Sequence, residues 1–110
     1  ELLTDIANVL DEIAQDYEID LAKYKTPATK LRNLVKILAK KERVVLLIDE
    51  YDKPIIDHLD NHEIAEENRK IMREFYDAIK ALDVCWRAIF ITGVSKFTKT
   101  SIFSGFNNLN

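Results

Sequence analysis

The sequence predicts an α/β domain built on a parallel sheet, and a few observations carry that prediction. Val44 to Ile48, VVLLI, is an aliphatic run without alternation, the pattern of a central strand covered on both faces as in a parallel sheet. A second apolar run, WRAIFIT at 86–92, has the same strand character and ends at Gly93. The stretch between them carries a helical stripe, and strands alternating with helices of this length pair in parallel through right-handed crossovers. The expected order is helix, helix, strand, helix, strand, loop, with no internal repeat, low-complexity tract or domain linker.

Each element has a local reason. Leu2, Leu3, Ile6, Val9, Leu10, Ile13 and Ala14 recur at the spacing of one helix face, opposite Asp5, Glu12 and Asp16, so the first helix runs to about Tyr17. Thr26 followed by Pro27 signals the second start, because threonine caps free N–H groups and proline fits a first turn. Leu31, Leu34, Val35 and Leu38 form its buried stripe, and Lys40, Lys41 and Arg43 favour its negative dipole end. After the first strand Pro54 breaks the chain, and Asp60 with Glu63 matches a capping box for a third helix. Ile64, Ile71, Met72, Phe75, Ile79 and Leu82 supply its stripe, with Met72 and Phe75 as core residues. Beyond the second strand, SKFTKTSIFSGFNNLN has turn composition and no sustained period.

Composition narrows the function classes. A chain of 110 residues that is 47% hydrophobic and 32% charged is neither a disordered tail nor a membrane protein. No apolar run approaches the roughly 20 residues needed to cross a bilayer, and the first residues lack a basic start and a cleavage site. The single cysteine, Cys85, excludes an internal disulfide framework, and a cytoplasmic location is expected. With a net charge of −3 and scattered lysines, nucleic acid is not implied by this segment. The chain opens at Glu1 inside a helical pattern and stops at Asn110 in an asparagine-rich loop, and reads as a piece of something longer.

The chemistry-bearing residues gather at the strand ends. In an open parallel sheet, ligands bind beyond the carboxyl ends of the strands, where diverging loops leave a crevice. Asp49 and Glu50 follow the first strand and Thr92 to Lys96, TGVSK, follow the second. If the strands are adjacent, both stretches face one crevice. An aliphatic strand running into Asp-Glu is the pattern of P-loop ATPases, where a rigid strand fixes an aspartate beside magnesium and the next carboxylate polarises the attacking water. On spacing alone, a buried strand followed by a solvated acidic turn explains the same residues equally well.

Longer stretches decide the matter. VVLLIDEYDKPI, a helix carrying FYDAIKALD, and AIFITGVSKFTKTSIFSGFNNLN together resemble the predicted AAA-ATPase-like family, P-loop proteins often fused to a restriction-endonuclease-like nuclease domain. The likeness covers at least residues 44–110. It implies that Asp49 is the magnesium-associated Walker B aspartate and Glu50 the catalytic, water-activating glutamate. Thr92 then takes the polar sensor position that reports on the γ-phosphate. It also implies ATP and Mg²⁺ as cofactors. The implied partners are ATP and the rest of the protein's own chain, including an upstream phosphate loop and, in fused members, a C-terminal nuclease-like domain.

The sequence departs from the family at one point. A phosphate loop needs G-x-x-x-x-G-K-[ST], since glycines let backbone N–H groups close round the phosphates and the lysine neutralises their charge. Gly93 and Gly105 are the only glycines, wrongly separated and without a following Lys-Ser or Lys-Thr. Residues 1–110 are therefore expected to form a single partial domain, the C-terminal portion of a P-loop ATPase core, with no measurable hydrolysis alone. The full-length protein is expected to hydrolyse ATP; a nucleotide-responsive regulatory or scaffold module without significant turnover is the alternative, and an inactive structural fragment the third reading. Missing core strands would expose apolar edges and favour self-association.

Smaller signals are read conservatively. His58 and His62 have the spacing of a helical zinc pair but straddle the predicted cap, which leaves them as exposed polar residues. Asp52 and Asp57 lack the companion lysine motif that a nuclease-type metal cluster with Asp49 and Glu50 would need. Cys85 reads as a small core residue and Arg87 as a surface residue rather than an arginine finger. Phe97, Phe103 and Phe106 interleave with Lys96 and Lys99 as a loop packed on the sheet would, and Ser95 and Lys96 take no assigned role.

Overall fold

Residues 1–93 are described in a computed structural model of the chain, and Ser95, Lys96 and the aromatic–lysine stretch from Phe97 to Phe106 lie outside them. Helix α1 spans Leu2–Asp16 and α2 spans Pro27–Ala39; strand β1 is Val44–Ile48, followed by the short helix α3, Lys53–Ile56. Helix α4 is His62–Ala81, and a 3₁₀ turn at Asp83–Cys85 leads into strand β2, Trp86–Ile91. The strands pair in parallel, as expected, with Leu46 opposite Ile89 and Ile48 opposite Ile91. Arg87, exposed, is the extra residue of a bulge next to the Val44–Trp86 pair.

The helix ends follow their residues. Thr26 caps α2 as predicted: its hydroxyl accepts from the Thr29 N–H at 3.2 Å while the Thr29 hydroxyl accepts from the Thr26 N–H at 3.2 Å. Helix α1 closes with Glu18 in the left-handed region at φ 58°. Glu18 N–H donates to Gln15 O at 3.0 Å and Ile19 N–H to Ala14 O at 2.9 Å, the paired bonds of a Schellman stop. The expected Asp60–Glu63 box is corrected: Asn61 caps α4, its Oδ1 accepting from Ile64 N–H at 3.2 Å. That moves Glu63 one position too early to reach back. Pro54 does not break the chain either, since it sits in the first turn of α3, where its missing N–H costs nothing.

The core lies between the helices and one face of the sheet. Leu10 and Ala14 from α1, Leu31 and Val35 from α2, and Met72 and Ile79 from α4 are buried in one cluster. Val44, Leu46 and Ile48 of β1 pack against it. The stripe of α4 is rotated from expectation: Ala65, Asn68 and Tyr76 are buried while Ile64 is exposed. Trp86 anchors the start of β2 to the last turn of α4 through a 2.8 Å bond from its indole Nε1 to Ile79 O. Cys85 is half-buried and packed against the core, as read.

The expectation that β1 is covered on both faces is corrected. Its burial alternates, with Val45 and the register partners Leu47 and Phe90 exposed, because no described helix lies over that face. No described helix is long and apolar enough to cross a membrane.

Candidate functional site at the strand ends

The parallel ladder continues one residue past the strands and then hands over to a side chain. Thr92 N–H donates to Ile48 O at 2.9 Å, and Thr92 O accepts from Tyr51 N–H at 3.0 Å. The Thr92 hydroxyl sits between those bonds. It accepts from Glu50 N–H at 3.0 Å and donates its own proton to Asp49 Oδ1 in a short contact. One threonine thus grips three consecutive residues of the turn, and the three residues singled out from sequence, Asp49, Glu50 and Thr92, meet at one point. All three are exposed.

The turn has two sides. Asp49 and Glu50 face outward, whereas Tyr51 and Asp52 are 2% and 0% exposed. Glu50 adopts φ 52°, the left-handed region that glycine usually occupies. Tyr51 inserts its ring edge-on against Tyr76 of α4, with centroids 6.1 Å apart. Burial first, and then the neighbouring Asp52 carboxylate, pushes the Tyr51 phenol far above its usual range. Burial, followed by Tyr51 and Asp52, does the same at Tyr76, so both rings remain neutral. Asp52 O accepts from Ile55 and Ile56 N–H at 3.1 and 3.0 Å and starts α3. The buried Asn68 side chain then bonds Pro54 O at 2.9 Å, tying α3 to α4.

A cleft of about 390 Å³ opens beside the turn, lined by Asp49, Glu50, Lys53, Asp57, His58 and, across from them, Asp5 of α1. Lys53 leans towards Asp57 at 3.0 Å, and that hydrogen bond and charge raise its ammonium pKa. Among the described residues no group of three or more His, Cys, Asp or Glu is arranged to hold a metal ion. That donor set does not suit an all-protein cage. It does suit magnesium, which keeps several waters and takes one or two carboxylates together with substrate phosphates. The Oδ2 of Asp49 accepts no hydrogen bond from a described residue and is available for such a role.

The weighed alternatives separate here. Asp52 is buried, so it does not join Asp49 and Glu50 in a solvent-facing metal cluster. His58 is half-buried at the cleft wall, while His62 is exposed as the first residue of α4. Sequence reasoning missed Tyr51, Asn68 and the reason for Gly93. A Cβ at 93 would stand 2.9 Å from Tyr51 Cε1, closer than carbon atoms pack. The signal for Tyr51 was an aromatic directly after two carboxylates; nothing local marked Asn68.

Two parallel strands whose ends are joined by a hydroxyl bonded to the Asp49 carboxylate and the Glu50 amide make an α/β arrangement with its candidate site at the carboxyl edge of the sheet. The family model described as Predicted AAA-ATPase matches residues 1–103, and the chain belongs to that family as an ATPase-like domain. It is also similar to the uncharacterized protein in the vnfD 5′ region of Azotobacter chroococcum mcd 1, 55% identical over 69 residues. That alignment takes in 63% of this chain and 13% of the relative, so the chain spans a small part of that protein's length. No solved structure matches.

Proposed function

We propose that residues 1–110 form the magnesium- and water-facing part of an ATP-hydrolysing P-loop domain, and that the phosphate-binding loop is contributed by another stretch of the protein. The observation that carries this is the Thr92 hydroxyl bridging the Asp49 carboxylate and the Glu50 amide. Asp49, held on one oxygen by Thr92, would hold magnesium through the other. Bound Mg²⁺ would neutralise charge developing on the phosphates. Glu50, exposed and directed by its left-handed backbone, accepts a hydrogen bond from the attacking water and draws off its proton. Thr92 ties the Asp49 carboxylate and the Glu50 backbone to the end of β2, at the position that by resemblance is the polar sensor of the γ-phosphate. Hydrolysis would drive a conformational change in the whole protein, in the cytoplasm.

Replacing Glu50 with Gln in the full-length protein tests this. Turnover is expected to fall by about two to four orders of magnitude while ATP still binds, since the amide keeps the shape but loses the basicity. Undiminished turnover in that variant would remove Glu50 as the base, whereas ATP binding that drives the same output without any hydrolysis in the unaltered protein would point to a nucleotide switch instead.

A further inference from the structure

We propose that Gly93 and Tyr51 are a positioning pair for Glu50, setting its direction from beneath the turn; the inference rests on Glu50 being the water-activating base. Two non-glycine residues among those described adopt positive φ, Glu18 and Glu50. Glu18 is explained by the helix stop it closes. Glu50 ends no helix, so its left-handed backbone must be imposed by what holds the residues on either side.

On the upstream side Asp49 is gripped by the Thr92 hydroxyl. On the downstream side the Tyr51 N–H is bonded to Thr92 O at 3.0 Å, and the ring is wedged between Tyr76 and the bare Cα of Gly93. Gly93 does not have the positive φ that would itself call for glycine. Its requirement is space: a methyl group there would overlap the Tyr51 ring edge at 2.9 Å. Tyr51 is 2% exposed and cannot swing out to solvent; a cavity of about 450 Å³ borders it and Tyr76, so the ring takes up part of the push and the rest passes to the Tyr51 backbone. That backbone is the peptide leaving Glu50. A side chain at 93 would therefore be felt as a turn of the Glu50 carboxylate away from the water it must reach.

The test is a double-mutant cycle in the full-length protein, with amide hydrogen exchange on the same protein as an activity-free readout. Gly93→Ala is expected to lower kcat by about 10- to 100-fold with KM for ATP unchanged, because misplacement of a reacting group costs rate rather than binding. It should also speed exchange at the Glu50 and Tyr51 amides, leaving the core of α4 protected. Tyr51→Leu is expected to lower kcat as well, and the two together should cost no more than Tyr51→Leu alone, since without the ring the methyl group makes only an ordinary 3.6 Å contact with Asp52 Oδ2. Wild-type kcat and exchange in Gly93→Ala would overturn the pairing, as would losses that multiply in the double variant or exchange that rises throughout the chain. Should Glu50→Gln turn over normally, the assignment of Glu50 as the base fails, and the exchange pattern still decides whether Gly93 and Tyr51 hold the Glu50 backbone.

Discussion

Glu18 and Glu50 are the same amino acid in the same left-handed conformation, at φ 58° and φ 52°, and they are there for different reasons. At Glu18 the conformation serves the backbone. Two hydrogen bonds back into α1 need a residue that turns the chain, and the exposed side chain makes no hydrogen bond or ion pair with a described residue. At Glu50 no helix needs closing, and the conformation is enforced by Thr92 above and Tyr51 below. Such a conformation costs an ordinary residue about 1–2 kcal/mol. At the first site that cost is incidental, because glycine would do the job better. At the second it delivers a carboxylate to a defined place, which glycine could not do.

The comparison is most sharply broken by glycine at the site. Glu50→Gly should leave the fold as stable as before, or more so by up to about 1 kcal/mol, while turnover of the full-length protein drops by about 10²- to 10⁴-fold. Urea unfolding beside a steady-state rate checks both halves. If stability fell along with turnover, the Glu50 side chain would be holding the fold, and its left-handed backbone would not be a strain that glycine relieves. Next in size is the brace behind each turn. Asn68→Ala removes the bond to Pro54 O and should cost about 1–3 kcal/mol, because a part-buried carbonyl loses its partner. Local exchange at α3 should rise with it. Lys30 braces the loop after Glu18: buried, it bonds Asp11 Oδ1 at 2.8 Å and Leu21 O at 3.2 Å. Lys30→Met keeps the apolar stem, and Asp11 is exposed enough to be hydrated, so the expected loss is smaller, about 0.5–1.5 kcal/mol by thermal unfolding.

The legible and illegible parts of the molecule differ in what signals them. Thr26–Pro27, the two apolar strands, their parallel pairing and the meeting of Asp49, Glu50 and Thr92 were all readable, because each is written in residue type at fixed spacing. Helix α3 was not, since a proline that starts a short helix has the same letter as one that ends a strand turn. The α4 cap slipped by one residue because Asp60 and Asn61 are both good caps, and only packing chooses Asn61. The bare side of the sheet was hidden for another reason: Val45, Leu47 and Phe90 have core composition, and composition does not say whether anything covers them. Positive φ at Glu50 has no local signature, because it is imposed by residue 92, far along the chain. Gly93 was legible as a turn residue but not as the space for a ring.

The smallest expected effect isolates the backbone argument from catalysis. Glu18→Gly relieves a left-handed residue without removing any hydrogen bond, because both bonds of the α1 stop come from backbone N–H groups, one of them its own. The gain from removing the Cβ clash, about 1 kcal/mol, is partly offset by the greater freedom of glycine in the unfolded chain. A net stabilisation of about 0.5–1 kcal/mol should remain, seen as a higher urea midpoint with an unchanged slope. Turnover should not move. A loss of stability would mean that the Glu18 side chain contributes more than its exposed position accounts for, and the contrast with Glu50 would then rest on function alone rather than on strain that only one of the two sites puts to use.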